Sequence, residues 1–424
     1  MGTLRARGCR INDLRASDPT DPGLLAVLDG RAVHSLYQPI VELGGQGIVG
    51  FEALARGPAG SVWASPATLF AAATAAGRVP ELDWICRSAA VRGALAADLD
   101  PRLALFVNVE PASNGVPCPD DLADIVTIAD RWPIISEITE RAITDDPGGL
   151  LATVEGLRHR RRHVALDDVG ADPASQAIMP LIRPDVIKLD QTIIADPHTD
   201  YAQAVIAAVH AEADRTGAVI VAEGIETPAD LATAQAVGAT LGQGFLLGRP
   251  APLPRTVTLH AMEWPRRTSL PTSAPTPFDI AVAHVTPATV SREVMKRLSR
   301  AVEERAAATS EPTILLANFQ HRDRFSAATA RRYATLATHA TLVGVFGQDM
   351  PAVPAPRVGG YPLPPDDPVT AEWSVILITS TGADGLFAHT TQDGTGYQVA
   401  ISDDRELILA AARSLFERMQ IVDV

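Results

Sequence analysis

The chain has 424 residues, with 36 Lys+Arg against 50 Asp+Glu and a formal net charge of −14. Apolar residues make up 46% and charged residues 20%, a globular composition that excludes global disorder. The acidic balance excludes a generally basic nucleic-acid binder, so neither DNA nor RNA is an expected partner. Three cysteines, Cys9, Cys86 and Cys118, cannot close a disulfide framework. No apolar run reaches the ~20 residues of a membrane span. The start, MGTLRARGCR, lacks the apolar centre of a secretory signal, and the cysteine count makes the cytoplasm the expected location.

Residues 1–20 are polar and without period, and read as a tail. From 21 to 258, strand-like runs alternate with Ala-rich amphipathic stretches. The strands are expected at 33–41, 48–54, 103–109, 134–139, 163–168, 185–190, 218–223 and 239–246, with helices such as 81–97, 149–160, 201–215 and 228–236. About eight β-then-α units over ~230 residues fit a closed (β/α) barrel. The stretch 259–279 contains WPRRTSLPTSAPTPFD, rich in Pro, Ser and Thr, and reads as a linker. A smaller α/β domain is expected over 280–424. Its elements are a helix 289–308, strand 313–318, helix 327–338 capped by Ser326, and strand 341–346. A Pro/Gly-rich loop 351–368 follows, then strands near 373–379, 385–390 and 396–401 and a helix 404–419.

Side chains alternate across a strand, so spacing assigns faces. Ala104, Phe106 and Asn108 share one face; so do Ile135, Glu137 and Thr139, then Ala165 and Asp167, then Val186, Lys188 and Asp190, and then Val219, Val221 and Glu223. The opposite faces are apolar and would meet the helices. In a closed barrel the polar ends converge on the C-terminal mouth, where such barrels do chemistry. The mouth would gather Glu52, Glu137, Asp167, Asp168, Asp190 and Glu223, with Asn108 and Gln243, around Lys188, one of only two lysines in the chain. Six carboxylates and one ammonium cannot all stay ionised side by side. Either several pKa values rise or divalent cations sit among them. An all-oxygen donor set favours Mg²⁺ or Mn²⁺ over Zn²⁺, and the adjacent Asp167 and Asp168 suit two ions.

These residues lie in eight ordered segments: YQPIV (37–41), FEALAR (51–56), FVNVEP (106–111), SEITE (136–140), ALDDVG (165–170), IKLD (187–190), VAEGIET (221–227) and GQGFLLGRP (242–250). The set resembles the EAL domain, a family of cyclic-di-GMP phosphodiesterases. The resemblance implies a modified (β/α)₈ TIM-like barrel that cuts cyclic di-GMP to linear pGpG. It implies Glu52, Asn108, Glu137 and Asp167 as ligands of a first Mg²⁺ or Mn²⁺, and Asp167 and Asp168, helped by Glu223, as those of a second. Glu223 resembles the general base, Lys188 the group that orients the attacking water, Asp190 the residue that steadies Lys188, and Gln243 a hydrogen-bonding group beside water and substrate. Gln38, Leu54 and Arg56 match substrate contacts. In the family, the loop after the Asp pair shapes the second metal site and a homodimer contact, and the position of Glu140 anchors it. Members usually continue DDFGTGYSSL there; this chain reads DDVGADPASQAI (167–178), with Val169, Ala171, Asp172 and Pro173 at the altered positions. Two readings stand: an active phosphodiesterase, or a weak or inactive cyclic-di-GMP receptor signalling through its C-terminal domain.

Residues 280–424 resemble the DICT sensory domain, through ILLANFQHRDRFSAATARRYATLA (314–337), EWSVILI (372–378) and GYQVAISDDRELILAAARSLFERM (396–419). The resemblance implies a regulatory module with an unidentified ligand or protein partner.

Overall fold

The structure, a computed structural model, describes residues 22–45, 47–139, 146–267, 276–391 and 393–419. The tail 1–20, Cys9 and Glu140 lie outside them. No helix among the described residues is long and apolar enough to cross a membrane.

Helix α1 (Pro22–Asp29) buries Leu24, Val27 and Leu28 at i, i+3 and i+4. The barrel then closes through β1 (His34–Glu42), β2 (Ile48–Arg56), β3 (Ala104–Asn108), β4 (Ile134–Ile138), β5 (His163–Val169), β6 (Val186–Leu189), β7 (Val219–Ala222) and β8 (Leu241–Gly242). Strands β2 to β8 run parallel, whereas β1 is antiparallel to both its neighbours. Outside lie α2 (Pro66–Ala75), α3 (Val79–Ala96), α4 (Asp124–Ile128), α5 (Pro147–His159), α6 (Ala174–Ile182), α7 (Gln191–Ala195), α8 (Asp200–Thr216) and α9 (Pro228–Ala236).

The period-two assignment holds. Ala104, Phe106, Ile135, Ala165, Val186 and Val221 form the inner cluster with Ile40, Val49 and Leu241. Leu105 and Val107, and Ile138, Ile187, Leu189, Ile220 and Ala222, pack outward into the helix layer. The floor is closed from outside the sheet. Trp264 is buried in the inner cluster, edge-on to Phe106 with ring centroids 5.5 Å apart. The backbone leading to it pairs with β2, His260 N donating to Ile48 O at 2.9 Å. Residues 259–267, read in sequence as the start of a linker, are therefore part of the barrel.

The second domain is a seven-stranded sheet in the order β12-β11-β10-β13-β14-β15-β9. Its elements are α10 (Pro277–Val282), β9 (Ala288–Val290), α11 (Arg292–Ala308), β10 (Thr313–His321), α12 (Ala327–Leu336), β11 (Leu342–Gln348), β12 (Gly359–Pro362), β13 (Glu372–Thr379), β14 (Ala383–Thr390), β15 (Tyr397–Ser402) and α13 (Arg405–Phe416). Two boundaries differ from the sequence reading. The helix expected from 289 begins at Arg292, because Ser291 caps it by accepting from Val294 N at 3.4 Å, and 288–290 pair with β15 instead. The loop 351–368 contributes the short edge strand β12. Helices α11 and α12 cover one face of the sheet through Met295, Val302, Tyr333 and Leu336. On the other face lie α10, α13 and the barrel. One apolar cluster runs without a break from Val164, Ile178 and Ile187 to Leu316, Phe346, Ile376 and Phe416.

Glu372 is buried where α10 meets β13; Phe278 N donates to its Oε2 at 3.0 Å. Burial pushes its carboxyl up to about 7, against the pull of hydrogen bonds from Thr276 and Phe278. The folded protein then holds this proton more tightly than the unfolded chain does. Stability from this group is complete below the unfolded value of about 4.5 and falls as pH rises toward 7, by about 3 kcal/mol. Glu372→Gln should flatten that window in urea denaturation of the full chain. An unchanged slope between pH 4.5 and 7 would refute the assignment.

Candidate active site: an acidic ring around one buried lysine

The C-terminal ends of the barrel strands place their polar residues in one bowl. Lys188, on β6, is 1% exposed and reaches up the axis. Its Nζ lies 2.7 Å from Glu137 Oε1 on β4, 2.8 Å from Asp167 Oδ1 on β5, 2.8 Å from Glu223 Oε1 after β7, and 3.6 Å from Glu52 Oε2 on β2. Asn108 Nδ2 donates to Glu137 Oε2 at 3.2 Å and to Glu52 Oε1 at 3.5 Å. Gln243 Nε2 donates to Glu52 Oε2 at 2.6 Å and to Gln38 Oε1 at 3.1 Å, and Gln38 in turn donates to Gly248 O at 3.1 Å. Carboxylates from four strands thus share one ammonium.

The electrostatics follow from burial. Desolvation, then repulsion from Glu52, pushes Glu137 well above the carboxylate range, with Lys188 pulling the other way. Burial raises Glu223 to about 8 despite Lys188, with Asp167 and Glu52 adding to the rise. Burial alone would lower the Lys188 ammonium, but Asp167, Glu137, Glu223 and Glu52 more than offset it and hold it well above its ordinary value. The bowl therefore has more acidic groups than one cation neutralises. Oxygens of Asp167, Asp168 and Glu223 lie within 4.8 Å of one another. Gln243 Oε1 is buried without a hydrogen-bond partner. Converging oxygen donors with excess negative charge fit a hard divalent cation.

Above the bowl is a cavity of about 250 Å³ lined by Gln38, Glu52, Asp168, Asp190, Glu223 and Gln243, together with Gln191, Gly224, Glu226, Gly244 and Phe245. Gly224 sits at φ +65°, and a Cβ there would come within 2.3 Å of Gln191 Cβ, so the wall needs glycine.

Residues 24–250 match the EAL domain family, more than half of the chain. The chain belongs to the EAL domain family. Residues 279–391 match DICT, described as a sensory domain in diguanylate cyclases and two-component systems. The EAL part is 31% identical to the uncharacterised protein y4lL of Sinorhizobium fredii over 58% of this chain and 30% of that protein. It is 29% identical to the cyclic di-GMP phosphodiesterase RocR of Pseudomonas aeruginosa over 55% of this chain and 61% of RocR. A solved structure of Klebsiella pneumoniae BlrP1 with manganese and cy-diGMP is similar with a TM-score of 0.46 and 29% identity, over 52% of this chain and 57% of that one. The chain spans less than two thirds of the length of these curated relatives.

Within this EAL domain the structure gathers Gln38, Glu52, Asn108, Glu137, Asp167, Lys188, Glu223 and Gln243 into one network, with Asp168 and Asp190 on the cavity wall. Leu54 and Arg56 continue the Glu52 face of β2 but do not line that cavity; Arg56 donates to Ala55 O at 2.7 Å. Asp190 was expected to steady Lys188. Instead its Oδ1 caps α7, accepting from Thr192 N at 2.9 Å and Thr192 Oγ1 at 2.5 Å, and it forms no ion pair with Lys188. Phe245 and Arg249 were not singled out in sequence. Phe245 is 45% exposed beside the cavity, with the Arg249 guanidinium 4.1 Å from its ring centroid. An apolar ring left open at a polar mouth was the signal available, in GQGFLLGRP.

Removing the ammonium should leave the acidic ring uncompensated. Lys188→Met is expected to cost about 3 kcal/mol in urea denaturation with EDTA present. Adding Mn²⁺ should recover more stability in this variant than in the wild type, because a bound cation replaces the lost charge. Equal Mn²⁺ effects in both proteins would show that the ring does not take the ion.

Proposed function

We propose that this chain is a divalent-metal-dependent phosphodiesterase that opens cyclic di-GMP to linear pGpG, under the influence of its DICT domain. The supporting observation is the convergence of Glu52, Asn108, Glu137, Asp167 and Glu223 on buried Lys188 at the barrel mouth. In this reading Glu52, Asn108, Glu137 and Asp167 hold one Mg²⁺ or Mn²⁺, and Asp167, Asp168 and Glu223 hold a second. Such ions neutralise charge on the diester and acidify a bound water.

The chain's own groups supply the rest. Lys188 would orient the attacking water once one of the three carboxylates that take its N–H groups, Glu137, Asp167 or Glu223, releases it. Glu223 is the group that would take the water's proton. Gln243 has its amide N–H groups committed to Gln38 and Glu52, which leaves Oε1 to accept from water or substrate. Gln38 on the cavity wall, and Leu54 and Arg56 beyond it on the Glu52 face of β2, are the proposed substrate contacts, with Arg56 directed to a phosphate. Phe245 presents a ring face on which a guanine can stack. Glu140, the proposed loop anchor, lies outside the described residues. A homodimer and a ligand or protein partner for the DICT domain belong to the same proposal.

The altered segment 169–173 favours a second reading, a receptor that binds the nucleotide without turning it over. Incubating the full chain with cyclic di-GMP and Mg²⁺ or Mn²⁺, followed by chromatography, separates the two. The phosphodiesterase gives pGpG, and Glu52→Ala or Glu223→Ala lowers its rate by at least about 10²-fold. Tight nucleotide binding without product in the wild type supports the receptor. Full activity in Glu52→Ala would show that the metal ligands are misassigned.

A further inference from the structure

All nine residues of α6 are buried, including Ser175 and Gln176. A surface helix of a barrel buries one stripe; a helix buried all round is packed on two sides. One side of α6 meets β5 and α8 of the barrel, and the other meets β10, β13 and α13 of the DICT domain.

The two ends of this helix have different partners. Its N-terminal end is joined to Asp168, which sits at φ +52°. Ala171 N donates to Asp168 O at 3.0 Å, Asp172 Oδ1 accepts from Ala174 N at 2.8 Å, and Ser175 Oγ donates to Asp172 O at 2.8 Å while accepting from Gly170 N at 3.2 Å. The loop carrying Asp168 is therefore bound to the first turn of α6. At the other end, Arg183 leaves the helix at φ +51°, and the terminal carbonyls face two guanidiniums. Arg158 of α5 donates to Ile182 O at 2.5 Å and Arg183 O at 2.8 Å. Arg413 of α13 donates to Leu181 O through Nε at 3.2 Å and a terminal nitrogen at 2.5 Å. Cations at a helix C-terminus interact favourably with its dipole and its unpaired carbonyls.

Burial and the neighbouring Arg183 and Arg158 charges pull Arg413 down to about 10, so its place among like charges is unfavourable except for what it binds. Nearby contacts between the domains are ordinary by comparison. Arg215 of α8 pairs with Glu406 at the exposed edge, and Gly148 lies against Met419, where a Cβ would come within 3.2 Å of its backbone and side chain.

We infer that Arg413 of the DICT domain is a positioning residue for the metal site: by fixing the carbonyl end of α6, it fixes Asp168 at the other end. The inference rests on the metal-site reading above. The ligand it concerns is a hard divalent cation held by Asp167, Asp168 and Glu223. Groups that support metal ligands from outside the coordination sphere typically change affinity by about 10–100-fold when removed, and Arg413, acting through a helix, should lie at the low end.

The test is Mn²⁺ binding to the full chain by titration calorimetry, alongside the melting temperature and pGpG formation. Arg413→Met should raise the Mn²⁺ dissociation constant about tenfold. Arg413→Lys, which keeps the charge but has a single terminal nitrogen, should raise it by less. Arg215→Ala cuts the ion pairs with Glu406 and Glu212 without touching the α6 carbonyls, and should lower the melting temperature while leaving the Mn²⁺ constant at its wild-type value. A wild-type constant in Arg413→Met, or an equal shift in Arg215→Ala, overturns the inference. Should Arg413→Met fail to fold, a wild-type constant in Arg413→Lys overturns it. Mn²⁺ binding without pGpG in the wild type removes the phosphodiesterase reading and leaves the inference standing. Product with unaltered Mn²⁺ affinity in Arg413→Met does the reverse, and a wild-type chain that binds no Mn²⁺ overturns both.

Discussion

An ammonium with almost no solvent access must be surrounded by oxygen, and the barrel mouth is arranged around that requirement. Lys188 has three N–H donors and meets three carboxylate oxygens at 2.7–2.8 Å, one each from Glu137, Asp167 and Glu223. An arginine would bring a planar fork with five donors and could not place them on oxygens arriving from separate strands. In a chain whose other cations are nearly all arginine, this position keeps the compact point charge. The pair logic runs both ways. Without the carboxylates the ammonium could not be buried, and without the ammonium the carboxylates would repel one another in a poorly solvated bowl.

The same alternation of side chains builds the bowl and the core beneath it. On β3, Ala104 and Phe106 point into the apolar interior and Asn108, two residues on, points into the site. Residues Ala165 and Asp167 on β5 and Val186 and Lys188 on β6 repeat the step from apolar to polar. Position along the strand, rather than a change of face, decides which residue packs and which reacts. Trp264 is needed because the interior is open at its other end. Arriving from beyond the last strand, it gives Phe106 a partner and seals the floor.

Much of this was legible in the sequence, because a period of two assigns faces from local spacing and the motifs occupy strand ends. What was not legible depended on long-range packing. Trp264 stands in a Pro- and Ser-rich stretch, and nothing local distinguishes a plug from a linker residue. Residues 288–290 carry an acceptable helix sequence but pair with β15. Asp190 follows Lys188 on the same face by spacing, yet the chain turns directly after β6 and its carboxylate caps α7. Segment 174–182 contains Pro180, which argues against a helix interior, and although Ala174, Ala177, Ile178, Leu181 and Ile182 make one apolar stripe, Ser175, Gln176, Met179 and Pro180 off that stripe are buried as well. Both features make sense only once the DICT domain is in place on its outer side.

The departures from the usual EAL loop then acquire a local logic. Where a glycine would leave the backbone free, Asp172 accepts from Ala174 N, and Pro173 brings the fixed φ of a residue entering a helix. The threonine hydroxyl is lost at Ala171, while Ser175, a serine in the usual run as well, closes the loop from below. Through these bonds the altered segment is continuous with α6. A loop with its own freedom could settle Asp168 independently of whatever lies at the far end of the helix. A loop bound to the first turn of a helix buried on every side cannot, so the orientation of Asp168 is tied to the surface on which α6 rests. That surface includes the DICT sheet and α13, and the unbroken apolar cluster between the domains makes their separation costly.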